Sequence, residues 1–550
     1  MDEEVLHVAP IDTAHYHAIP PAPRHAVSTH LPGWDNVIRL GKKDPGLIAQ
    51  FVNMYPRFVL HKDVKSLIAS VLQHVKSAGL FCFPFPSRKS AQEFVDYVTT
   101  SPRPDGLDAL DASEVTIRGF EIVNRLFFVF FPVTKIPLVM NFWTNTGLGT
   151  SSRLAEANLA DGDKIQEVSI SESLSHRSLE SPAHEKLRNR IVDLLQRAPL
   201  DEARAKKVSP KDVFLYQNGM AAIFNVHDTL RRWKKLPSKT IMFGVPFHQT
   251  LRIFEYWGAG VELLPLGAEY DELERILDSE AADGRPVQAI WAEIPSNPLL
   301  VTSDLKRLRS LADKHSCAFV IDDTVGSFSN VDVLGLADII LTSLTKSFSG
   351  YADVMGGSAT LNPSSTIYEE LRPLFEKNYE TEMFSADAEV LFQNSEDYLK
   401  RSTTLNRNAE SLVNYLQSLT KRSSSSVSRV FYPTVSSTRA NFDALKRPAT
   451  EEFEPGYGCL FSVELDTVEA VIAFYNNLHV HNGPHLGAHR TIALAYVKGL
   501  YLTELDRVAK WGLKESQIRI SVGLEDSEDL LRAFKYAVQC ADATRSTLDI

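Results

Sequence analysis

The chain has 550 residues, 44% apolar and 23% charged, with 58 lysines and arginines against 69 aspartates and glutamates. That length exceeds a single hydrophobic core, which stops growing near roughly 250–300 residues, so two or three domains are expected. The formal charge of -11 excludes a general basic field for nucleic acid or anionic lipid, so neither is expected as a partner. Four scattered cysteines without a C-x-x-C spacing suggest neither a zinc site nor a disulfide framework, and no metal is expected.

Residues 1–20 mix Pro, His and Ala without periodicity and read as a loose arm. Their start, "MDEEVLHVAP", has acids where a secretory or mitochondrial signal carries bases, and unpaired cysteines suit a reducing compartment, so a cytoplasmic protein is expected. Residues 21–145 read as an N-terminal α/β extension. Within it "KSLIASVLQHVKSAG" has helical spacing, while "LFFVFFPVTKIPLVM" (126–140) reads as core strands. Pro132, Lys135 and Pro137 interrupt that apolar run, which falls short of the roughly 20 residues a spanning helix needs.

From Val213 to Lys346 short β-rich runs alternate with helical segments. The strands are "VFLY", "TIMFGVPF", "VELLPL", "QAIWAEIP", "CAFVIDD" and "DIILTSLTK"; the helices include "MAAIFNVHDTLRRW", "DELERILDSEAAD" and "DLKRLRSLADKH". Such alternation predicts an α/β fold with a mostly parallel sheet covered on both faces, and ligands at the carboxyl ends of its strands. We expect a large domain over 146–400 and a smaller α+β domain over 401–550, the latter holding "CLFSVELD" and "QIRISVGLEDSEDLLRAFKYAV".

Unusual residues cluster where these strands end. "VFLYQNGMAAIF" runs strand, Gly219, helix, presenting free amides and a positive helix end suited to a phosphate; a glycine that merely turns the chain is the plainer reading. "FVIDDTVG" ends on Asp322 and Asp323, which point to opposite faces, so only one lies over a given ligand; Asp322 is chosen, with a cap or metal ligand as the alternative. Asn297 in "AEIPSNPLL" can donate to a phenolate-type oxygen or simply form a turn. "TSLTKSFSG" puts the Ser343 and Thr345 hydroxyls on one side, followed by Lys346. Taken alone Lys346 would be a surface lysine, but an amine emerging among apolar strands is a candidate nucleophile or base. Phe247, at the end of its strand, can cover a flat ring or belong to the core.

Together these motifs call for one ligand with a phosphate, a basic ring nitrogen and an aldehyde, as in pyridoxal 5'-phosphate. Lys346 would bond the aldehyde, Asp322 would keep the ring nitrogen protonated, and Ser343, Thr345 and the Gly219 and Met220 amides would hold the phosphate.

The ordered series "NGMAAI", "AEIPSNP", "IDDT", "SLTKSFSGYADVMGG" and "IRISVGLED" resembles the Cys/Met-metabolism group of pyridoxal-phosphate enzymes. "PPAPRHAVSTHLPGWDNV", "MYPRFVLH" and "TGLGTSSRLAE" resemble the long amino-terminal part of its fungal cystathionine gamma-synthase type. The resemblance implies a fold-type I, aspartate-aminotransferase-like transferase. It assigns Lys346 the covalent role, Asp322 the ring nitrogen, Asn297 the ring oxygen and Phe247 the stacking face. The phosphate cradle would comprise Gly219, Met220, Ser343 and Thr345, with Thr324 of "IDDT" also at the cofactor. Arg519 would bind the substrate α-carboxylate. Arg153 resembles the arginine of a Tyr-x-Arg motif that reaches a neighbouring subunit's phosphate, with Ser151 in the tyrosine position. A homodimer or homotetramer is implied.

The implied reaction is γ-replacement on O-acetyl- or O-succinylhomoserine by a thiol such as cysteine, giving cystathionine within methionine biosynthesis. Three departures concern the substrate side: Phe247 where relatives carry tyrosine, "FHQT" after it in place of Gly-Gly-Thr, and His485 of "GPHLGAHRT" where serine is expected near the substrate. They leave open a specialised-metabolism enzyme with a different carbon or sulfur nucleophile, a cystathionine lyase, and a non-catalytic paralogue.

Overall fold

The computed structural model describes residues 24–51, 59–160, 164–170 and 179–545. The expected arm, residues 1–20, lies outside them, as does most of "MYPRFVLH". The described residues form three sheets.

The first sheet is antiparallel, in the order β1-β3-β2-β4, from β1 (Leu80–Phe85), β2 (Thr116–Glu121), β3 (Arg125–Pro132) and β4 (Gln166–Val168). Beside it the helix Lys62–Val75 buries Val64, Leu67, Ile68 and Val71, the one-face spacing expected of "KSLIASVLQHVKSAG". The expectation that 126–140 is all strand is corrected in its second half: after Pro132 the chain becomes the helix Ile136–Thr146. Pro137 sits in the first turn of that helix, where a missing N–H costs nothing.

The second sheet has seven strands: β5 (Val213–Tyr216), β6 (Thr240–Phe243), β7 (Val261–Leu264), β8 (Ala289–Glu293), β9 (Ala318–Asp322), β10 (Ile339–Thr342) and β11 (Gly357–Leu361). Their order is β5-β11-β10-β9-β8-β6-β7. Strands β10, β9, β8, β6 and β7 are parallel, and β11 runs antiparallel between β10 and β5. β5 to β10 match the six expected runs. β11, "GSATL", was not anticipated: its small, weakly apolar residues lack a strand-like pattern, yet all five are buried. Both faces of the sheet are covered. Ile241, Ile290, Phe319 and Ile340 enter one core; Met242, Trp291, Val320 and Leu341 enter another. This two-sided burial is why the strands read as continuous apolar runs.

The second of these cores continues into the N-terminal region: Phe83, Phe85, Phe94 and Phe142 belong to it, and Tyr97 stacks on Trp257 with ring centroids 4.9 Å apart. The extension therefore shares its hydrophobic core with the large sheet. Residues 24–31 bind it further. Arg24 pairs with Asp63 at 2.9 Å, His25 bonds Ser152 and Glu156, the Val27 amide donates to Ala352 O at 2.8 Å, and the Leu31 amide donates to Asn482 O at 2.7 Å.

The third sheet, β12-β13-β16-β15-β14, comprises β12 (Val427–Phe431), β13 (Leu460–Leu465), β14 (His481–Asn482), β15 (Ile492–Leu494) and β16 (Gln517–Ser521). It is antiparallel except for the β14/β15 pair, and the helix Ser527–Ala543 packs beside it. This mixture of sheet and helix matches the α+β expectation for the C-terminal region.

Candidate active site

The carboxyl ends of the parallel strands open on a cleft of about 760 Å³, its mouth included. Lys346, Asp322, Gly219, Met220, Phe247, Asn297, Thr324, Ser343, Thr345 and Arg519 all contribute to its wall.

At one end, β5 delivers the N-terminus of the 16-residue helix Gly219–Lys234. Asn218 caps this helix: its Oδ1 accepts from the Ala221 amide at 3.0 Å, while its Nδ2 donates to Gly147 O at 2.7 Å. A Cβ at Gly219 would meet Ser343 Cβ and Oγ at 2.9 Å, so a side chain there would fill the space over the helix end. The helix-end amides and the Ser343 hydroxyl border an anion cradle, while the Thr345 hydroxyl bonds the Gly356 main chain, donating to its O at 3.1 Å and accepting from its amide at 3.0 Å.

From the cradle a hydrogen-bonded path leads to Asp322. The Ser343 amide donates to Thr324 Oγ1 at 2.8 Å, and the Thr324 amide donates to Asp322 Oδ1 at 2.9 Å. Burial raises the Asp322 pKa, while the Thr324 hydrogen bonds and the nearby Lys346 charge oppose the rise. Asp323 takes the opposite face, where its Oδ1 accepts from the Thr342 hydroxyl at 2.5 Å and burial pushes its carboxyl up to about 7. The strand alternation thus puts Asp322 in the cleft and Asp323 behind it.

Arg519, on β16, closes the far wall. It donates to Pro484 O at 2.6 Å, His485 O at 3.3 Å and Asn297 Oδ1 at 3.4 Å, all neutral acceptors, and lies 5.0 Å from the Tyr496 ring centroid. With Asn297 Oδ1 receiving Arg519, the amide nitrogen of Asn297 is the group left to donate towards a ligand oxygen.

Two expected residues sit elsewhere. The wall at 484–486 is made by Pro484 and Leu486, and His485 meets the site through its carbonyl. Its buried ring is held well below the usual histidine range by desolvation, then by the Lys346 and Arg519 charges. Arg153 is not part of the cleft wall within its own chain; it donates to Asp353 O at 2.9 Å and pairs with Asp387 at 3.2 Å. Ser151, in the expected tyrosine position, donates to the same Asp387 at 2.5 Å.

Glu293 and Thr250 also line the cleft and were missed by sequence reasoning. Glu293 stands inside the "AEIPSNP" motif as a charged strand end, the same signal that singled out Asp322.

An acidic group, an amine and an anion cradle on one mostly parallel sheet define a pyridoxal-phosphate-dependent enzyme; the donor set at the Gly219 helix end, with the Ser343 side chain brought close by the absence of a Cβ, fits a phosphate. Residues 185–539 match the model of the Cys/Met metabolism PLP-dependent enzymes, and residues 63–151 match the fungal trans-sulfuration enzyme N-terminal domain. The chain belongs to the Cys/Met-metabolism family of PLP-dependent enzymes. It is 34% identical to alanine racemase ungC of Aspergillus violaceofuscus, over 95% of this chain and 96% of that protein. It is 32% identical to the cystathionine gamma-synthase-like enzyme iboG1 of Amanita muscaria (96% and 98%) and 29% identical to cystathionine gamma-synthase of Neurospora crassa (95% and 98%). Among solved structures, cystathionine gamma synthase of Xanthomonas oryzae pv. oryzae in complex with cystathionine shares the fold, with a TM-score of 0.54, 20% identity and coverage of 68% of this chain and 90% of that one. Among the described residues, no helix is long and apolar enough to cross a membrane.

Proposed function

We propose that the protein catalyses γ-replacement on an activated homoserine, the O-acetyl or O-succinyl ester, by a thiol such as cysteine, giving cystathionine. One observation carries this reading: Lys346, Asp322 and Arg519 meet in a single cleft.

When bound, pyridoxal phosphate supplies an aldehyde for Lys346 and an electron sink for charge developing at the substrate α-carbon. The residues do the rest. The Gly219 helix end with Ser343 and Thr345 holds the phosphate, Asp322 keeps the ring nitrogen protonated, and the Asn297 amide donates to the ring oxygen. Phe247 covers the ring face. Arg519 receives the α-carboxylate through a bidentate guanidinium and so fixes which α-bond faces Lys346. The Lys346 amine then takes the α-proton. A β-proton is then removed by the same amine after it has handed on the first. The γ-carboxylate (acetate or succinate) leaves as the Cγ–O bond breaks, the thiol adds at Cγ with loss of its proton, and protons return to Cβ and Cα.

A second reading is γ-substitution with a different carbon or sulfur nucleophile. It is favoured by Phe247, which brings no hydroxyl, and by the apolar Pro484, Leu486 and Met355 on the wall. The relatives' names, an alanine racemase among them, support testing the outcome broadly. The test is a product survey with O-acetylhomoserine and a panel of thiol and carbon acceptors, with L-alanine and cystathionine as separate substrates. Rapid cystathionine formation supports the first reading. Faster reaction with another acceptor supports the second, 2-oxobutanoate release from cystathionine marks a lyase, and no turnover marks a non-catalytic paralogue. A cytoplasmic homodimer or homotetramer, with Arg153 reaching a neighbouring phosphate, belongs to the same proposal; light scattering of the purified chain measures its mass.

A further inference from the structure

Glu293 ends β8 as Asp322 ends β9, and the two are register partners in neighbouring parallel strands, so their side chains leave the sheet on the same face. Both line the cleft. Asp322 has Lys346 nearby, whereas the Glu293 carboxyl turns to the start of the helix His248–Tyr256. Its Oε1 accepts from the Phe247 amide at 2.8 Å and from the Thr250 hydroxyl at 3.4 Å. Phe247 is the N-cap residue of that helix and makes no side-chain cap of its own. In a local capping box the third helical residue reaches back to the N-cap amide. Here a glutamate 46 residues away in sequence does so.

We propose that Glu293 is a positioning residue for the cofactor ring: by gripping the Phe247 main chain from the strand beside Asp322, it fixes the stacking face relative to the carboxylate that receives the ring nitrogen. The ring is then clamped from two directions by adjacent strand ends, and an error in Phe247 would tilt the ring against Asp322. Burial, reinforced by the neighbouring Asp322 charge, pushes the Glu293 carboxyl well above the usual carboxylate range. What the grip needs is an accepting oxygen at the right reach.

The inference rests on the ring-binding reading of the cleft. It is tested by titrating pyridoxal phosphate into native protein and variants, reading Kd by equilibrium dialysis and the visible circular dichroism per bound cofactor, which reports ring orientation without turnover. Glu293→Gln keeps an accepting oxygen at the same reach and is expected to hold Kd within about threefold of native with an unchanged visible signal. Glu293→Ala removes the acceptor, and Glu293→Asp withdraws it by one methylene. Each is expected to raise Kd about tenfold and at least halve the visible signal. Phe247→Ala should mask the effect, so that Phe247→Ala with Glu293→Ala is no worse than Phe247→Ala alone.

Native-like Kd and dichroism in both Glu293→Ala and Glu293→Asp overturn the proposal, as does an additive double variant or a Glu293→Gln that behaves like Glu293→Ala. If Glu293→Ala does not fold, Glu293→Asp and Glu293→Gln decide. Native protein that binds no pyridoxal phosphate would instead overturn the ring-binding reading itself.

Discussion

Glu293 and Asp322 occupy equivalent positions on adjacent parallel strands and face one cleft, but they differ in what surrounds them. Asp322 receives the Thr324 amide and the field of Lys346; Glu293 receives only an amide and a hydroxyl. Two carboxyls this close in a desolvated site do not both ionise readily, and the Lys346 charge favours ionisation of Asp322 over Glu293.

Asp322 is thus the carboxylate available to a protonated ring. Asp322→Asn preserves shape and removes charge, so turnover should fall by about 100-fold or more while the variant still folds. Steady-state kinetics with a far-UV melt as control measures this; a variant of native activity contradicts the assignment.

Lys346 should be the site of covalent attachment. Borohydride treatment of native protein loaded with pyridoxal phosphate is expected to place the label on the peptide containing "SLTKSFSG". Lys346→Ala should show no label and no turnover. Mass spectrometry of the digest reads both results.

Gly219→Ala adds a Cβ 2.9 Å from Ser343 Cβ and Oγ. Overpacking of this kind costs about 1–3 kcal/mol, and here it also narrows the anion cradle. Cofactor affinity should fall by roughly tenfold to a hundredfold on that account, whereas pyridoxal without its phosphate should lose less. Dialysis against the two ligands compares them.

Arg519→Lys keeps a positive charge but loses the planar pair of donors. Hydrogen bonds to charged groups contribute about 1.5–3 kcal/mol, so KM for the amino acid should rise on the order of tenfold to a hundredfold, with a smaller change in cofactor Kd.

The stability that three buried histidines contribute should be lost in mild acid. Burial lowers the pKa values of His227 and His248 from 6.5 to about 4, and that of His481 to about 3. At these sites the unfolded chain binds more protons than the folded one, so their contribution is fully present above about pH 6.5 and declines as pH drops towards 4, while the raised carboxyl of Asp323 works in the opposite direction. His227 alone accounts for up to about 3 kcal/mol. Thermal melts of native protein and His227→Gln between about pH 7.5 and 4.5 isolate the histidine part: the variant should lose less stability on acidification than the native protein does.

Much of this site is legible without coordinates because its chemistry sits at strand ends, and strand ends are local features. Alternating apolar runs and helical spacing mark β5 to β10, and Lys346, Asp322 and Gly219 fall at their carboxyl edges. Strand alternation shows that only one of Asp322 and Asp323 can face the cleft, and the sheet's position makes it Asp322. Two features escaped this logic. "GSATL" carries no pattern that distinguishes a strand from a loop, and it becomes β11 by pairing antiparallel with both β5 and β10, its five residues buried between them. Pro137 looks like an interruption of strands and is instead the opening turn of a helix.

Sequence alone determined the periodicities, the order of the motifs and the identities of the chemical groups, since each depends on residues a few positions apart. Only the tertiary structure decided which groups meet: the Glu293 grip on Phe247, the Arg519 bond to Asn297, and the aromatic core shared by the N-terminal region and the large sheet. These contacts depend on strand order and register between segments tens to hundreds of residues apart, which sheet packing sets and no local pattern encodes.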